Sequence, residues 1–599
     1  MKLSLVLIVG LALSGTFVKS ATAAPQALAP VAPAVSCASL AQPGIDAEVG
    51  AAVTIQSAAE GTIRGARFCQ VKGTIAPHIR FELRLPVSGW TQRYLQTGCG
   101  GLCGVLDVHV EHAETCTVVK DNAVALASTD MGHQGRFMGD GTFGTDPQAR
   151  VDFAYRGVHL TALAAKALIH KYYGQAAKFS YFSGCSDGGR EALMEVERFP
   201  QDFDGVAAGA PAMNFQVQNS FYHAWMYLSN HRADGTAILT AAKLPALHAA
   251  ALAACDAADG LKDGQITDPR ACHFDPADTL CKPGQAASDA CLTAEEVEVA
   301  RKFYAGPHDA EGHHFTIGGP QVGSELSWRG VYVPETPTGG VMSDGAALGT
   351  LKYLSFPTNP DPSYSLKDFR FDRATFDRLN DLHPLYDATD TDLSGFQARG
   401  GKLILWHGWS DPHISPINTI AFLHAVRAQL GAARADSFVR LFLFPGLYHC
   451  GGGDGTSQFD ILTPLMDWVE GGAAPEKIIG GHPAFDPMAG PPPGPPPGAP
   501  PMAGMPPMPG MPPMKDMKDM GPPSLDDLPP PPIIRTRPVF AYPNIARWDG
   551  KGPVDQADSF VAAPPMVPDP AGYDWDGARF MAPGFHKLCE AVDGKLACH

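Results

Sequence analysis

A serine between two glycines, in the run Gly184-Cys185-Ser186-Asp187-Gly188, is the strongest chemical signal in the sequence. The run follows an apolar, β-rich stretch, "KFSYF", and precedes a helical pattern, "GREALMEVERF". A Gly-x-Ser-x-Gly motif between a strand and a helix is the setting of a nucleophile elbow, in which the glycines let the backbone turn sharply and expose the serine hydroxyl. The spacing therefore predicts that Ser186 is a nucleophile for acyl transfer.

A serine nucleophile needs a base and an orienting acid, and in an α/β-hydrolase the acid and then the histidine follow the serine in the chain. The strand-like run "KLILW" ends in "HGWSD", which contains Asp411, and "RLFLF" ends in "PGLYHC", which contains His449. Both residues follow a buried strand, at the sheet edge where such folds place their active groups. We predict a triad of Ser186, Asp411 and His449. His407 and His413 are rival bases near Asp411, but neither lies in a loop after a later strand.

The alternatives for the two partners are structural. Asp411 could instead cap a helix or stabilise a turn, and His449 could be one more buried, hydrogen-bonded histidine among the 21 in the chain.

Two of the predicted triad members have a cysteine beside them. Cys185 precedes Ser186, and Cys450 follows His449. If the serine and the histidine meet, the two cysteines must also lie close together, and we infer a disulfide between them. Such a bond would fasten the loop of the base to the nucleophile elbow.

The elements around these motifs predict an α/β fold. The runs "FELRLPV", "RYLQTG", "AVALAST" and "KFSYFSG" are typical of strands, and "GVHLTALAAKALIHKYYG" has helical periodicity. Alternating strands and helices favour a parallel sheet covered on both faces. The pattern becomes irregular over 211–394 and resumes with "GGKLILWHG" and "FVRLFLFPG", which indicates a large inserted lid domain.

The predicted organisation has six parts. They are a signal peptide (1–24), the first part of the core (25–210), the lid (211–394), the second part of the core (395–482), a Pro/Met-rich insertion (483–532), and core completion with a C-terminal tail (533–599).

The first residues are typical of an export signal: Lys2, the short apolar run "LSLVLIVGLALSG", and small residues near Ala23 and Ala24. We expect a secreted or periplasmic protein without a membrane span, because the apolar run is too short to cross a bilayer comfortably. The alternative is a retained anchor. Thirteen cysteines agree with an oxidising compartment, and their odd number leaves at least one thiol over.

The formal net charge of −17 argues against nucleic acid or an anionic membrane as a partner. The Pro/Gly-rich run over 483–532 predicts an extended, disordered loop. In it, methionines recur at every third position, which would align their thioethers along one face of a polyproline II helix. This suggests a second class of function, a surface-interaction or Cu(I)-binding protein; the alternative is a compositional repeat without a ligand. The methionines are Met502, Met505, Met508, Met511, Met514, Met517 and Met520.

Taken together, the motifs resemble the tannase and feruloyl esterase family, which also contains a terephthalate half-ester hydrolase. The resemblance is carried by "GCSDGGR", "HGWSDPHISP" and "YHC", and by "TDMGH", "FPQDFDGVAAGAPA" and "TRPVFAYPNIARWDGKG". It implies an α/β-hydrolase core with an inserted lid. It also implies a secreted serine carboxylic ester hydrolase that acts on small esters of aromatic acids, with feruloyl, galloyl or related acyl groups. The alternative substrate is a terephthalate monoester.

An oxyanion hole needs two backbone N–H groups aimed at the tetrahedral oxygen. One should be that of Asp187, the residue after the nucleophile. The other should come from the Gly-rich turn "TGCGGLCG", where Gly100 is the first candidate and Gly101 the second. A plain tight turn is the alternative.

The segment "CDAADGLKDGQITDPRAC" offers hard oxygen ligands at short spacing, which suits calcium although it is not an EF-hand. In the family that the chain resembles, this segment binds a structural Ca²⁺. Carried over by position, the ligands would be the carboxylates of Asp256, Asp259 and Asp263 and the carbonyls of Leu261 and Gln265. A solvated acidic loop is the alternative.

The remaining cysteines suggest further pairs. Two positions that hold a cysteine pair in many family members are Phe540 and Val561 here, and Cys589 with Cys598 is a candidate replacement. The other expected pairs are Cys37–Cys69, Cys255–Cys272 and Cys281–Cys291. The odd set Cys99, Cys103 and Cys116 stays open, with Cys103–Cys116 as one option.

Overall fold

The structure is a computed structural model that describes residues 25–63, 65–135, 139–284, 288–484 and 531–599. The predicted signal peptide and the methionine repeat lie outside these residues. Within the described ranges, no helix combines the length and the apolar character that crossing a membrane requires.

The largest element is a nine-stranded sheet with the order β1-β2-β3-β5-β4-β6-β7-β8-β9. Its strands are β1 Val53–Ile63, β2 Ala66–Ile75, β3 Ile79–Pro86, β4 Arg93–Thr97, β5 Val124–Thr129, β6 Phe179–Cys185, β7 Gly205–Gly209, β8 Lys402–Gly408 and β9 Val439–Phe444.

Sixteen α-helical segments accompany the strands in the described residues. Five precede β7: α1 Asp46–Val49, α2 Thr117–Lys120, α3 Pro147–Val151, α4 Gly157–Tyr173 and α5 Asp187–Arg198. Eight lie between β7 and β8: α6 Phe215–Val217, α7 His223–Asn230, α8 Leu244–Cys255, α9 Ala294–Ala305, α10 Met342–Tyr353, α11 Arg373–Leu379, α12 His383–Tyr386 and α13 Ser394–Ala398. Three follow β8: α14 Pro416–Leu430, α15 Ala432–Ala435 and α16 Leu462–Gly471.

Six neighbouring strands form the parallel part of the sheet, in the order β5-β4-β6-β7-β8-β9. This part is covered on both faces, as predicted. Successive residues of β7 and β8 alternate between two cores. Val206 and Leu403 pack into the core that includes α4, α5 and α14, whereas Ala207 and Ile404 pack into the core that includes α16. This alternation explains why these strands are apolar throughout.

The strands β1, β2 and β3 are antiparallel, and β3 pairs antiparallel to β5. The expectation of a wholly parallel sheet is therefore wrong for this edge. The physical reason is the length of the connections: β1 ends at Ile63 and β2 begins at Ala66, and β2 ends at Ile75 and β3 begins at Ile79. Connections this short can join only antiparallel neighbours.

The chain between β7 and β8 is helical and has apolar cores of its own. One core gathers Phe221, Phe315 and Phe376, and a second gathers Phe303 and Trp328. The segment 211–394, predicted as a lid, falls within this crossover. The domain boundaries themselves stay predictions.

The C-terminal region adds small antiparallel sheets beside the core. They are formed by β10 Gln458–Phe459, β11 Lys477–Pro483 and β12 Ile533–Phe540, by β13 Ile545–Trp548 with β14 Phe560–Ala563, and by β15 Cys589–Val592 with β16 Lys595–Cys598. In the first sheet, Pro483 pairs with Ile533, so the two flanks of the Pro/Met-rich insertion lie side by side.

Candidate active site

Ser186 occupies a sharp turn between β6 and α5. Its backbone has φ 65°, in the left-handed region that side chains other than glycine seldom adopt. A Cβ atom on Gly184 would lie 2.5 Å from the carbonyl oxygen of Gly188, so the turn requires a glycine there. The sequence motif has thus produced the strained strand-turn-helix geometry of a nucleophile elbow.

The Gly-rich turn after β4 packs directly on this elbow. A Cβ atom on Gly98 would lie 2.5 Å from the Cα of Gly188, so the two backbones touch. Asp187 begins α5, where the first N–H groups have no partner within the helix. Gly100 and Gly101 line the same cavity as Ser186. Asp187 and both glycines therefore lie at the cavity of Ser186, and their role as oxyanion donors stays a prediction.

Asp411 and His449 meet in the loops after β8 and β9. His449 Nδ1 lies 2.6 Å from Asp411 Oδ2. The other carboxylate oxygen, Oδ1, accepts from the backbone N–H groups of His413 (2.7 Å) and Ile414 (3.0 Å). Asp411 is completely buried, so its carboxylate is held in one orientation towards the imidazole.

Asp411 remains anionic despite its burial. Burial alone would raise its pKa, but the charge of His449 and the hydrogen bonds from His407 and His449 outweigh that effect and hold the pKa of Asp411 far below its usual value. A carboxylate in this state can stabilise the imidazolium that forms when His449 accepts a proton.

The rival candidates for the base, His407 and His413, make other contacts in the site. His407 is buried, with Nε2 3.1 Å from both Asp411 Oδ2 and the carbonyl oxygen of Ile414, and Nδ1 2.8 Å from Thr419 Oγ1. Because Nε2 faces two acceptors, it carries the proton, and Nδ1 accepts from the Thr419 hydroxyl. His407 therefore contacts the same carboxylate oxygen of Asp411 as His449 does.

The ring of His413 lies edge-on to that of His449, with centroids 4.6 Å apart. Burial, together with the neighbouring charge of His449, lowers the pKa of His413 well below its usual value. A neutral His413 packs beside the His449 imidazole and places no second positive charge next to it.

The disulfide inferred from the sequence is present: Cys185 and Cys450 are bonded, with Cα atoms 5.9 Å apart. It brings Ser186 and His449 to one cavity, which both line. The other expected pairs are also bonded, namely Cys37–Cys69, Cys255–Cys272, Cys281–Cys291 and Cys589–Cys598.

The option of a Cys103–Cys116 bond is wrong. Cys99 is bonded to Cys103, and Cys116 is a buried free thiol. The turn that carries the first two is closed by a hydrogen bond from Cys103 N–H to Gly100 O, which brings their Cα atoms to 5.4 Å. Cys116 lies in the other core of the sheet.

The cavity beside Ser186 has a volume of 380 Å³. The crossover between β7 and β8 forms one of its walls with residues that the sequence analysis did not identify. Apolar contributions come from Phe215, Met342 and Ala346, and polar ones from Gln218, Asn219, His223 and Thr350. These side chains lie on helices without any motif, so no sequence signal marks them individually.

The acidic loop between Cys255 and Cys272 has oxygen donors that fit a hard cation. Asp256 is buried and accepts from the N–H groups of Asp263 and Gly264, each at 3.1 Å. Burial, and then the charges of Asp263 and Asp256, raises the pKa of Asp259. A bound cation would relieve this crowding of negative charge.

Part of the charge in this loop is already balanced. Arg537 Nη2, from β12, lies 2.6 Å from Asp263 Oδ2. Among the described residues, the three carboxylates do not converge within one ligand shell. A cation would therefore have to draw them together, and it would anchor the loop beside β12.

A mixed sheet with a nucleophile elbow after β6, an acid after β8 and a histidine after β9 defines an α/β-hydrolase. The chain resembles an esterase from Aspergillus oryzae in structure, with a TM-score of 0.70 and 22% identity over 88% of this chain and 100% of that chain. It also resembles feruloyl esterase B from Aspergillus oryzae, with a TM-score of 0.67 and 25% identity over 86% of this chain and 96% of that chain. Residues 62–563 match the family model described as tannase and feruloyl esterase, and the chain belongs to that family.

Two relatives extend over nearly the whole chain. An uncharacterized esterase of Xanthomonas campestris is 32% identical over 88% of this chain and 89% of its own length. The mono(2-hydroxyethyl) terephthalate hydrolase of Piscinibacter sakaiensis is 32% identical over 83% of this chain and 85% of its own length. The predicted family and α/β-hydrolase fold class are confirmed, and the protein is a carboxylic ester hydrolase.

Proposed function

We propose that the protein hydrolyses esters of aromatic acids through an acyl-enzyme formed on Ser186. The observation that carries the proposal is the 2.6 Å contact between His449 and the buried Asp411, at a cavity that Ser186 also lines. The bond between Cys185 and Cys450 supports it, because this bond keeps the two loops together.

In the proposed reaction, Ser186 Oγ attacks the ester carbonyl and His449 takes the serine proton. Since His449 Nδ1–H donates to Asp411, the lone pair of Nε2 is left to act as the base. The imidazolium then protonates the departing alcohol. A water molecule, deprotonated by His449, attacks the acyl-enzyme and releases the acid.

The tetrahedral oxygen would be stabilised by two backbone N–H groups. Asp187 supplies one from the start of α5, and Gly100 or Gly101 supplies the other from the turn packed against it. Both donors are backbone groups of two closely packed elements, which limits the reorganisation that the reaction would need.

The cavity supports an aromatic acyl group. Phe215, Met342 and Ile414 offer apolar surface, and Gln218 and His223 offer polar groups that could meet phenolic hydroxyls. Feruloyl and galloyl esters are the first candidates. The terephthalate monoester is the second, and it is supported by the 32% identity to the Piscinibacter sakaiensis hydrolase.

We further propose export from the cytoplasm and a structural Ca²⁺. Six disulfides among the described residues support an oxidising compartment. The carboxylates of Asp256, Asp259 and Asp263, with carbonyls of Leu261 and Gln265, would hold the ion. It would supply stability to the loop and no step of the hydrolysis.

Turnover of methyl ferulate, methyl gallate, methyl cinnamate and a terephthalate monoester by the full-length protein tests the proposal. Ser186→Ala should abolish hydrolysis, and Asp411→Asn should lower kcat by about 10⁴-fold, because the imidazole loses its partner. Ser363→Ala, an exposed serine, is the matched control and should behave as wild type. Unchanged turnover in Ser186→Ala would refute the mechanism, and inactivity on every aromatic ester would refute the substrate class.

A further inference from the structure

Glu191 lies one turn after Asp187 on α5 and is completely buried beneath the Gly-rich turn. Its Oε1 accepts from the backbone N–H of Cys99 at 3.3 Å. The same oxygen lies 2.8 Å from Cys99 Sγ and 3.4 Å from Cys103 Sγ, so the carboxyl group rests against their disulfide. Glu191 thus contacts the base of the turn that carries Gly100.

Asp187 is fixed from the other side by a buried arginine. Arg190 donates to both oxygens of the Asp187 carboxylate, with Nε at 2.7 Å and Nη2 at 3.0 Å. Arg190 also donates to the carbonyl oxygens of Ala154 and Phe153, so its guanidinium is held in place. Asp187 is therefore the charged partner of Arg190.

The carboxyl groups of Glu191 and Asp187 have oxygens within 4.8 Å of each other. Two buried carboxylates this close repel each other, so one of the pair keeps its proton. Burial, and then the charge of Asp187, raises the pKa of Glu191 well above its usual value, which makes Glu191 the protonated member. Its Oε2 is buried without a hydrogen-bond partner among the described residues, which disfavours the charged carboxylate.

The groups around Glu191 agree with this protonation state. On its own helix it faces Asp187, Arg190 and Glu195. Across from it stand the Cys99 N–H group and the disulfide of the turn. The positive charge of Arg190 is taken up by Asp187, so a neutral Glu191 leaves the cluster balanced.

We propose that Glu191 is a positioning residue whose carboxyl group couples the two halves of the oxyanion hole. On one side it lies against the carboxylate of Asp187, whose backbone N–H is the first donor. On the other side it fixes the Cys99 N–H, one peptide before the second donor at Gly100. The proposal rests on the proposed acyl-transfer function and adds what keeps both donors directed at one point.

Glu191→Gln and Glu191→Leu separate this role from simple packing. The amide of glutamine can still donate to Asp187 and accept from Cys99, so kcat should stay within about threefold of wild type. Leucine fills a similar volume but makes neither bond, so kcat should fall about 10²-fold, as when an oxyanion donor is lost, with KM nearly unchanged. Glu195→Leu removes an equally buried carboxyl further along α5 and should spare kcat.

Two further measurements test the proposal, and the second needs only wild type and Glu191→Gln, so it holds even if Glu191→Leu folds poorly. An aryl boronic acid, which forms a tetrahedral adduct with a serine nucleophile, should bind wild type and Glu191→Gln equally well and Glu191→Leu more weakly. Wild-type kcat should fall as the pH rises through the raised pKa of Glu191, and Glu191→Gln should lack that fall.

Equal losses of kcat in the glutamine and leucine variants, or a pH profile of kcat that Glu191→Gln leaves unchanged, would overturn the role of Glu191. An unchanged kcat in a folded Glu191→Leu would do the same. These results are distinct from failure of the proposed function, because every rate is taken as the part of turnover that Ser186→Ala abolishes.

Discussion

Cys185 and Cys450 are bonded to each other, and each is the chain neighbour of a proposed triad member, Ser186 or His449. The bond spans a sequence separation of 265 residues and joins the end of β6 to the loop after β9. Geometry that would otherwise depend on packing across two strands, β7 and β8, is thus fixed covalently.

We expect the double variant Cys185→Ser, Cys450→Ser to lose both stability and turnover. Removal of a cross-link over so long a loop should lower the free energy of unfolding by about 5 kcal/mol, and a looser base loop should lower kcat. Thermal melts and initial rates measure the two effects.

The matched control is Cys281→Ser, Cys291→Ser, which removes a bond that closes only 10 residues in the crossover. This variant should lose stability but keep kcat. If the first pair can be removed without a change in kcat, the bond has no part in positioning the base.

The motifs that lie directly after buried strands could be predicted from the sequence. The elbow at Ser186 and the loops of Asp411 and His449 each combine an apolar run with a short, polar ending. The local order of residues is therefore enough to identify them. The Cys99–Cys103 bond could also have been predicted, because two cysteines four residues apart in a Gly-rich turn can bond directly.

Residues that reach the cavity through tertiary packing could not be predicted. His223 and Met342 begin helices in a region without periodic signal, and only the folded crossover turns them towards Ser186. Glu191 left a faint signal, a carboxyl group four residues after Asp187 on a helix that proved to be buried. The antiparallel edge could not be predicted in the same way, because β1, with the sequence VTIQSAAEGTI, is mostly exposed and has no continuous apolar run.

Stability should fall as the pH falls below 6.5, in part because of His223. Burial lowers the pKa of this histidine to about 3. Between pH 6.5 and 3 the unfolded chain therefore binds a proton there that the folded chain does not, so the free energy of unfolding decreases by up to about 1.4 kcal/mol per pH unit. Above pH 6.5, His223 adds no pH dependence to the free energy of unfolding, because it is neutral in both the folded and the unfolded chain.

Thermal melts between pH 7 and pH 5 check this sign. His223→Gln can retain a hydrogen bond to Ser343 Oγ, which lies 2.9 Å from His223 Nδ1, and it should show a smaller fall in Tm than wild type. His273→Gln, at an exposed position, should follow wild type. A fall in Tm as steep in His223→Gln as in wild type would show that His223 is not responsible.

Chelation should lower Tm more than it lowers turnover at mild temperature. The loop proposed to hold Ca²⁺ lies beside β12, where Asp263 pairs with Arg537. An ion that binds only the folded loop would stabilise the folded state. Asp259→Asn should remove most of the shift in Tm on chelation, whereas Asp278→Asn, an exposed carboxylate nearby, should keep it. Metal analysis that finds no calcium in the native protein, with no shift on chelation, would dismiss the site.

Deletion of residues 491–530 should leave esterase activity near that of wild type. The described residues that flank this segment already lie together, because Pro483 pairs with Ile533 and Ala484 N–H donates to Pro532 O at 2.9 Å. A short turn can therefore close β11 onto β12, and the entropy of closure changes only slowly with loop length. Loss of folding would show that the segment packs on the protein, and loss of Cu(I) binding alone would give the methionines a role.

The pairing of the cysteines has a consequence for how the protein is made. Five of the six bonds in the described residues join cysteines that follow each other directly in the chain. The partner of Cys185 is Cys450, which is synthesised 265 residues later. The unpaired Cys116 is synthesised before both of them. Thiols oxidised strictly in their order of synthesis would join Cys116 to Cys185 and block the elbow. Correct maturation in an oxidising compartment therefore calls for thiol–disulfide exchange, and recombinant yield should depend on a disulfide isomerase more than on the supply of oxidant.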